Sequence, residues 1–381
     1  MKQVLLTKAV GIKNQRVKPF DGGKEYLATG GLTGSKIRTE AVTYKTKPSR
    51  ADLLVTENQL IVARMKETNK VLLIDENTSD LIVSTGFLVL DVQEGWDSGF
   101  LFHYFVSGFF QKQKDKFSIG ATQKTINNEK FKEILIPEIS LDDQKHIVKI
   151  LDEADALCQK RKQAIELLDD YLKSVFLEMF GDPVRNQKNW KLMKLGDISE
   201  SRLGKMRDKQ YITGKYLNPY LGNSNVKWFH FDLLDLLEMD FNDQEKIKYS
   251  LNEGDLLICE GGEIGRCAIW KNQQPNCYFQ KAIHRVRTNK QIILPEYLQW
   301  ILWFYSKGNA FKESRTQATI AHLTGIKLKR LPIPVADIDL QNKFATTMKI
   351  VESIKYKMLA QSNDLDIQFQ ALIQKAFKGE S

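Results

Sequence analysis

Apolar positions recur every three or four residues along two long stretches that contain neither glycine nor proline. The first runs from Glu138 to Phe180, between Pro137 and Gly181; the second runs from Val335 to Lys378, between Pro334 and Gly379. On the first, Ile147, Leu151, Ala154, Leu157, Leu168, Leu172, Val175 and Met179 fall on one helical stripe. Phe344, Met348, Val351, Ile354, Leu365, Phe369, Leu372 and Ala376 do so on the second. Both stripes have the spacing of a coiled-coil seam. At 1.5 Å per residue each helix would approach ~60 Å, longer than a lobe needs for its own core. Two helices lying only on their own lobes are the plainer alternative; the seam favours helices that pair with each other as a spacer.

The rest of the chain is patterned differently. DLLICE (255–260) and CAIW (267–270) are short β-prone runs around a glycine-rich turn, Gly261 to Gly265. FQKAIHRVR (279–287) reads as another strand and PEYLQWILWFYSKG (295–308) as an aromatic helix with Pro295 in its first turn. KVLLID (70–75), STGFLVLDV (84–92) and FLFHYFVSGFF (100–110) follow the same order earlier in the chain. Aromatic residues at this spacing are read as core in preference to base-stacking platforms.

These likenesses come from a duplication. Residues 120–181 lie over residues 317–378 at a constant offset of 197, with 12 identities in 62 positions, among them Thr122/Thr319, Lys132/Lys329, Pro137/Pro334, Gln144/Gln341 and Phe180/Phe377. Unrelated sequences of average composition would give roughly four. Upstream, NQLIVAR (58–64) lies over GDLLICE (254–260). The expected architecture is α+β: two tandem α/β lobes, 1–137 and 182–334, separated by long helices at 138–181 and 335–381. The helices pair as an antiparallel coiled coil, because a compact lobe separates them, and the molecule has an internal pseudo-twofold.

Charge narrows the choice of partner. The 381 residues carry 56 Lys and Arg against 47 Asp and Glu, a formal charge of +9. Residues 141–181 carry −3 and residues 340–381 carry +2, which leaves +10 on the lobes. Basic lobes on a near-neutral spacer suit a bipartite reader of nucleic acid, where neutralised phosphates release counterions. Four irregularly spaced cysteines (158, 259, 267 and 277) make no disulfide framework and fit a reducing cytoplasm. Met1 to Thr7 lacks the layout of a signal peptide, and no apolar run reaches the ~20 residues of a membrane span.

The motifs of catalysis are missing. No GxxxxGK[ST] occurs, and the Gly261–Gly265 turn is not GxGxxG and leads into a β-prone segment. Asn218-Pro219-Tyr220 lacks the second proline of an amino-methyltransferase motif and is read as a turn. Cys259, Cys267, Cys277 and His284 do not have zinc-ligand spacing and are read as strand-buried. The lobes do offer polar and basic side chains in loops, suited to phosphates and base edges. In the first lobe these are Lys36, Arg38, Lys45, Lys47, Arg50, Gln123 and Lys124. In the second they are Lys205, Arg207, Lys209, Asn223, Asn225, Lys227, Trp228, Arg266, Arg315, Gln317 and Thr319.

An ordered set of segments resembles the specificity subunit of type I restriction-modification systems. In the second half it comprises Trp190 with KLGDI (194–198), YLGNSNVKW (220–228), LNEGDLLICEGGEIGRCAIW (251–270), FQKAIHRVR, RTQATIAHL (315–323) and LPIP (331–334). The first half carries STGFLVL (84–90), GATQKTIN (120–127), ILIP (134–137) and DDQKHIVKILDEAD (142–155). The resemblance implies two target-recognition domains, each reading one half of a bipartite DNA site. It implies that the helices recruit methyltransferase subunits, and through them restriction subunits. S-adenosylmethionine, ATP and Mg²⁺ would belong to those partners, with no cofactor, metal or catalytic residue in this chain. A stand-alone DNA modification enzyme and a coiled-coil adaptor without DNA binding are the alternatives; the first lacks its motifs, and the second leaves the +10 of the lobes unused.

Overall fold

The computed structural model describes residues 2–206, 214–308, 311 and 322–378. The chain divides into two compact units, residues 1–163 with 359–381 and residues 164–358. The first unit is made of two separate segments, and the second is one continuous segment. Each long helix, Leu141–Phe180 and Ile338–Lys378, contributes one half to each unit.

In the first unit an antiparallel sheet runs in the order Val10–Lys13, Phe87–Val92, Leu60–Ala63, Val71–Leu73. A second sheet runs Glu40–Val42, Lys24–Leu27, Ile82–Ser84, Ala51–Leu54, with Lys24–Leu27 and Ile82–Ser84 parallel. The second unit repeats the plan. Its sheets run Ser199–Leu203, Ile283–Thr288, Leu256–Cys259, Cys267–Ile269 and Leu237–Asp240, Leu217–Leu221, Tyr278–Phe279, with Leu217–Leu221 and Tyr278–Phe279 again parallel. In each lobe the first strand pairs antiparallel with the last, Gln3–Leu5 with Leu135–Pro137 and Lys191–Lys194 with Pro332–Val335. The ends of a lobe are thereby tied together next to the helix that follows. The Asn218-Pro219-Tyr220 segment is part of a strand and not a turn. Pro219 faces Glu238 on one side, beyond the short pairing of Tyr220 and Leu221 with Tyr278 and Phe279, so its missing N–H breaks no ladder on the other side.

The aromatic segments fold as helices, Ser98–Val106, Gly108–Phe117 and Pro295–Lys307, that face inward onto the long helices. In the first unit Phe100, Leu101 and Tyr104 share a core with Leu151 from the first long helix and Ile373 and Phe377 from the second. Farther along the same pair, Lys162 meets Asp366 at 3.0 Å. In the second unit Tyr297, Trp300 and Phe304 share a core with Phe176 and Phe180 from the first helix and Phe344, Met348 and Val351 from the second. There Lys355 meets Asp169 at 2.6 Å. Within each unit the two helices therefore run antiparallel. Burying each such aromatic side chain is worth ~1.5 to 3 kcal/mol.

The seam departs from the stripe read off the sequence. Leu157 and Ile354 are exposed, whereas Cys158 and Ser362 are buried. At the helix ends the deepest residues are Phe176, Phe180, Ile373 and Phe377, one position beyond Val175, Met179, Leu372 and Ala376. The 3.6-residue period drifts against a 3.5-residue stripe, and the lobe helices draw the large aromatic residues inward.

Both helices start in the same way. The carboxamide of Gln144 donates to the carbonyls of Gly95 and Ile139 and accepts from the Asp97 N–H. Gln341 donates to Ile292 and Ala336 and accepts from Leu294, every partner displaced by 197. The first helix stops at Gly181, whose φ of +73° lets its N–H reach the Leu177 carbonyl. Lys188 and the Trp190 indole then take up the carbonyls of Glu178, Met179 and Phe180.

Replacing Gln341 with Leu leaves one N–H and two carbonyls unpaired in a buried position. The expected loss is roughly 2 to 5 kcal/mol of unfolding free energy in urea titrations, against less than about 0.5 for Lys343→Ala on the exposed face.

Candidate nucleic-acid interface

One end of the first lobe collects segments that are far apart in sequence. The Arg38 N–H donates to the Gly31 carbonyl, and the Lys70 ammonium to the Thr29 carbonyl. Gly86 packs so closely on Thr29 that a Cβ there would lie 2.6 Å from its hydroxyl. The Arg64 N–H donates to Gly86, Thr85 to Arg50, Lys66 to Lys124 and Ile126 to Arg64. Lys36, Arg38, Arg50, Gln123 and Lys124 all lie on these tied segments and are exposed. Lys45 is exposed on the neighbouring turn, where Thr43 and Thr46 bond each other. Among the described residues, Lys36, Arg38, Lys45, Arg50 and Lys124 have no side-chain hydrogen bond, ion pair or ring contact within the protein, and so keep their charge available. The Gln123 carboxamide donates to the Met65 sulfur, at 3.4 Å. Lys47 differs, since its ammonium donates to the Ala51 carbonyl at 2.8 Å and meets Asp52 at 3.4 Å.

A buried lysine supports this end. Lys114 lies under the turn at residues 64–70 and donates to the Thr68 and Ala63 carbonyls. Burial pushes its pKa down to about 8.

The second lobe gathers equivalent segments. The Glu260 N–H donates to Ala282 and Leu323 to Glu260, matching Arg64 on Gly86 and Ile126 on Arg64. Most of its described candidate side chains, however, are engaged by other groups of the same lobe. The Lys205 ammonium sits on the Asp240 carbonyl and Glu245, 5.1 Å from the Phe241 ring centre. Arg266 donates to the Asn223 carbonyl at 2.7 Å. The Asn223 amide donates to Gly261, and Asn225 bridges the Gly222 N–H and the Asp232 carbonyl. The Trp228 indole N–H donates to Glu263 at 2.7 Å, and Lys307 meets the same carboxylate. Burial pushes the Glu263 carboxyl up, but Trp228, Lys307 and Arg266 outweigh it and hold it below its ordinary value. Lys227 is half-buried and makes no side-chain hydrogen bond or ion pair among the described residues. Arg207, Lys209, Arg315, Gln317 and Thr319 lie outside the described residues.

The glycine turn between Leu256–Cys259 and Cys267–Ile269 is filled by the protein itself. A Cβ on Gly265, where φ is +79°, would meet the Phe311 ring at 2.6 Å, and one on Gly261 the His322 ring at 3.0 Å. This packing needs glycine without any bound phosphate. Cys259 and Cys267 are buried in these strands, and burial raises both thiols.

Beside the turn is an open cleft of about 590 Å³, lined by Tyr220, Gly222, Asn223, Ser224, Asn225, Asp235, Leu237 and Gln280. The sequence pattern points to the asparagines but not to Gln280. FQKAIHRVR reads as one strand, whereas the structure breaks it at Lys281 and Ala282 into Tyr278–Phe279 and Ile283–Thr288, and so brings Gln280 to the cleft.

Two duplicated lobes, each with a polar end built from the same tied segments, define a tandem-repeat protein. The family model of the type I restriction modification DNA specificity domain matches residues 6–167 and again residues 187–364, and the chain belongs to this family. It is 26% identical over 309 residues to the EcoKI specificity subunit of Escherichia coli K12, an alignment covering 74% of this chain and 65% of that subunit. It is 25% identical over 278 residues to a putative type I specificity subunit of Haemophilus influenzae Rd, 70% of this chain and 67% of that one. The chain thus spans about two thirds of the length of these relatives. Among solved structures, a chain from work on complex assembly and conformational transition of the type I R-M system matches with a TM-score of 0.64 at 17% identity, covering 100% of this chain and 98% of that one. The type I S subunit of M. genitalium matches with a TM-score of 0.57 at 15% identity, covering 99% and 96%. These likenesses show the fold. No helix among the described residues is long and apolar enough to cross a membrane.

The buried Lys114 gives the first lobe a pH signature. Below pH 8 the ammonium is charged in both folded and unfolded chains, and its burial opposes folding in full. Between pH 8 and 10.5 the folded state has released the proton while the unfolded state retains it, so stability rises with pH. Relative to Lys114→Met, the wild-type lobe should gain roughly 3 kcal/mol between pH 7 and pH 10.5, read from urea titrations at each pH. A constant difference would show that the lysine does not shed its proton in the fold.

Proposed function

We propose that the chain is the DNA-recognition subunit of a type I restriction-modification complex, with each lobe reading one half of a bipartite double-stranded site. The observation that carries this reading is the first lobe's polar end, where Lys36, Arg38, Lys45, Arg50 and Lys124 stand exposed and without partners among the described residues, in a chain that contains the specificity domain twice. Cations free of internal ion pairs release counterions when they meet phosphate, and the tied backbone beneath them fixes their spacing. Methyltransferase subunits, and restriction subunits through them, are the expected protein partners. Exposed Leu157, Leu167, Tyr356 and Leu359 on the long helices support such docking. The chain is proposed as non-catalytic, with S-adenosylmethionine, ATP and Mg²⁺ held by the partners. An adaptor without DNA binding would share the helices but has no use for unpaired lobe cations.

Two measurements test the reading on the chain assembled with its methyltransferase subunit. The affinity for duplex DNA should fall with salt, and the double variant Lys36→Ala, Arg50→Ala should reduce the log–log slope by ~1.8, about 0.9 for each phosphate no longer neutralised. A slope unchanged by the double variant would remove these cations from the interface. Exchanging residues 190–334 for the matching lobe of a relative should alter one half of the methylated site and leave the other half as it was. Simultaneous change in both halves would contradict independent lobes.

A further inference from the structure

We infer that the second lobe's cleft receives the edge of an A·T base pair and that Gln280 is its specificity-determining residue; this rests on the DNA-reading function proposed above. Few polar groups in the cleft remain available. Asn225 is engaged on both sides of its amide, and the Asn223 amide nitrogen is engaged with Gly261. Gln280, Ser224 and Asp235 line the same cleft and make no side-chain hydrogen bond or ion pair among the described residues. The backbone of Gln280 is rigidly held: its N–H donates to the Leu221 carbonyl, its carbonyl accepts from Ile283, and Gly204 packs against that carbonyl so tightly that only glycine fits. A free carboxamide on a fixed backbone is a preorganised donor–acceptor pair.

The lining selects a base edge over a phosphate. Among the described residues no Lys or Arg lines the cleft, and the Asp235 carboxylate would repel a phosphate while accepting from an exocyclic amino group. The carboxamide of Gln offers one acceptor and one donor, the complement of the adenine N6 amino group and N7. Leu237, 59% exposed in the same lining, supplies an apolar surface for the thymine methyl of the paired base. Lys281, the next residue in the chain, is exposed and has no ion pair among the described residues, and it provides the flanking phosphate contact.

The test uses the full chain assembled with its methyltransferase subunit. The recognised site is first read from the methylation pattern of cellular DNA, and binding is then compared among duplexes changed at single positions. In wild type, one A·T pair in the half-site assigned to residues 190–334 should be discriminated. Gln280→Ala should lower discrimination at that pair by roughly 5- to 150-fold, the range of one good bidentate contact, with the other half-site unchanged. Gln280→Glu keeps the shape but offers only acceptors. It should turn preference at that position from adenine, whose N7 lone pair repels a carboxylate, to cytosine, whose amino group has no ring acceptor beside it. Thermal unfolding equal to wild type ties either effect to recognition, and Gln280→Glu stands in if the alanine variant does not fold. Unchanged discrimination at every position in a folded variant, or equal loss across both half-sites, overturns the role of Gln280. Absence of any sequence preference in the wild-type assembly overturns the DNA-reading function on which that role rests.

Discussion

Each lobe leaves an apolar helix face that its own continuous segment cannot cover, and that face is closed by the start of one long helix and the end of the other. Phe100 and Tyr104 need Phe377, which lies more than 270 residues later in the chain; Tyr297 and Trp300 need both Phe176 and Phe344. Because each core takes opposite ends of the two helices, the helices must run antiparallel within each unit. The Lys162–Asp366 and Lys355–Asp169 pairs agree with that direction but are exposed and contribute little. Burial of aromatic residues sets the arrangement, and the buried glutamines fix where each helix begins.

Duplication preserved the buried devices and let the polar ends diverge. Gln144 and Gln341 make the same three hydrogen bonds at an offset of 197, because any change there strands buried backbone groups. At the lobe ends, among the described residues, the first lobe presents cations without internal partners, whereas the second ties Lys205 and Arg266 into internal contacts, leaves Lys227 and Lys281 without ion pairs, and presents neutral amides in a cleft. Solvent-facing positions carry no such penalty, so two lobes of one fold can acquire different recognition surfaces. A chain that carries the specificity domain twice thus has two differently lined polar ends on one repeated scaffold.

The buried Lys114 and the filled glycine turn show how those surfaces are supported. Lys114 holds the carbonyls of a turn in the first lobe, and Phe311 and His322 pack on Gly265 and Gly261 in the second. Both are packing solutions beneath a polar end, and neither requires a ligand. Arg266 and Trp228, residue types that suit DNA contacts, are engaged within the lobe, by the carbonyl of Asn223 and the carboxylate of Glu263.

The duplication, the β-prone runs and the aromatic helical segment that the lobes share, and the two long helices are legible in the residues alone, because they rest on local periodicity and on a repeated register that needs no coordinates. The family resemblance is legible in the same way, since ordered segments such as LNEGDLLICEGGEIGRCAIW survive as text. Which side of each helix is buried at its ends is settled by packing in three dimensions, since Phe176 and Phe180 compete with Val175 and Met179 for the seam and the lobe helices settle the contest. Packing likewise settles which polar side chains remain available. Lys36 and Lys205 look alike in sequence, but one faces solvent and the other meets Glu245, a residue 40 positions away. Availability depends on long-range partners brought together by burial, and no local pattern of residues encodes them.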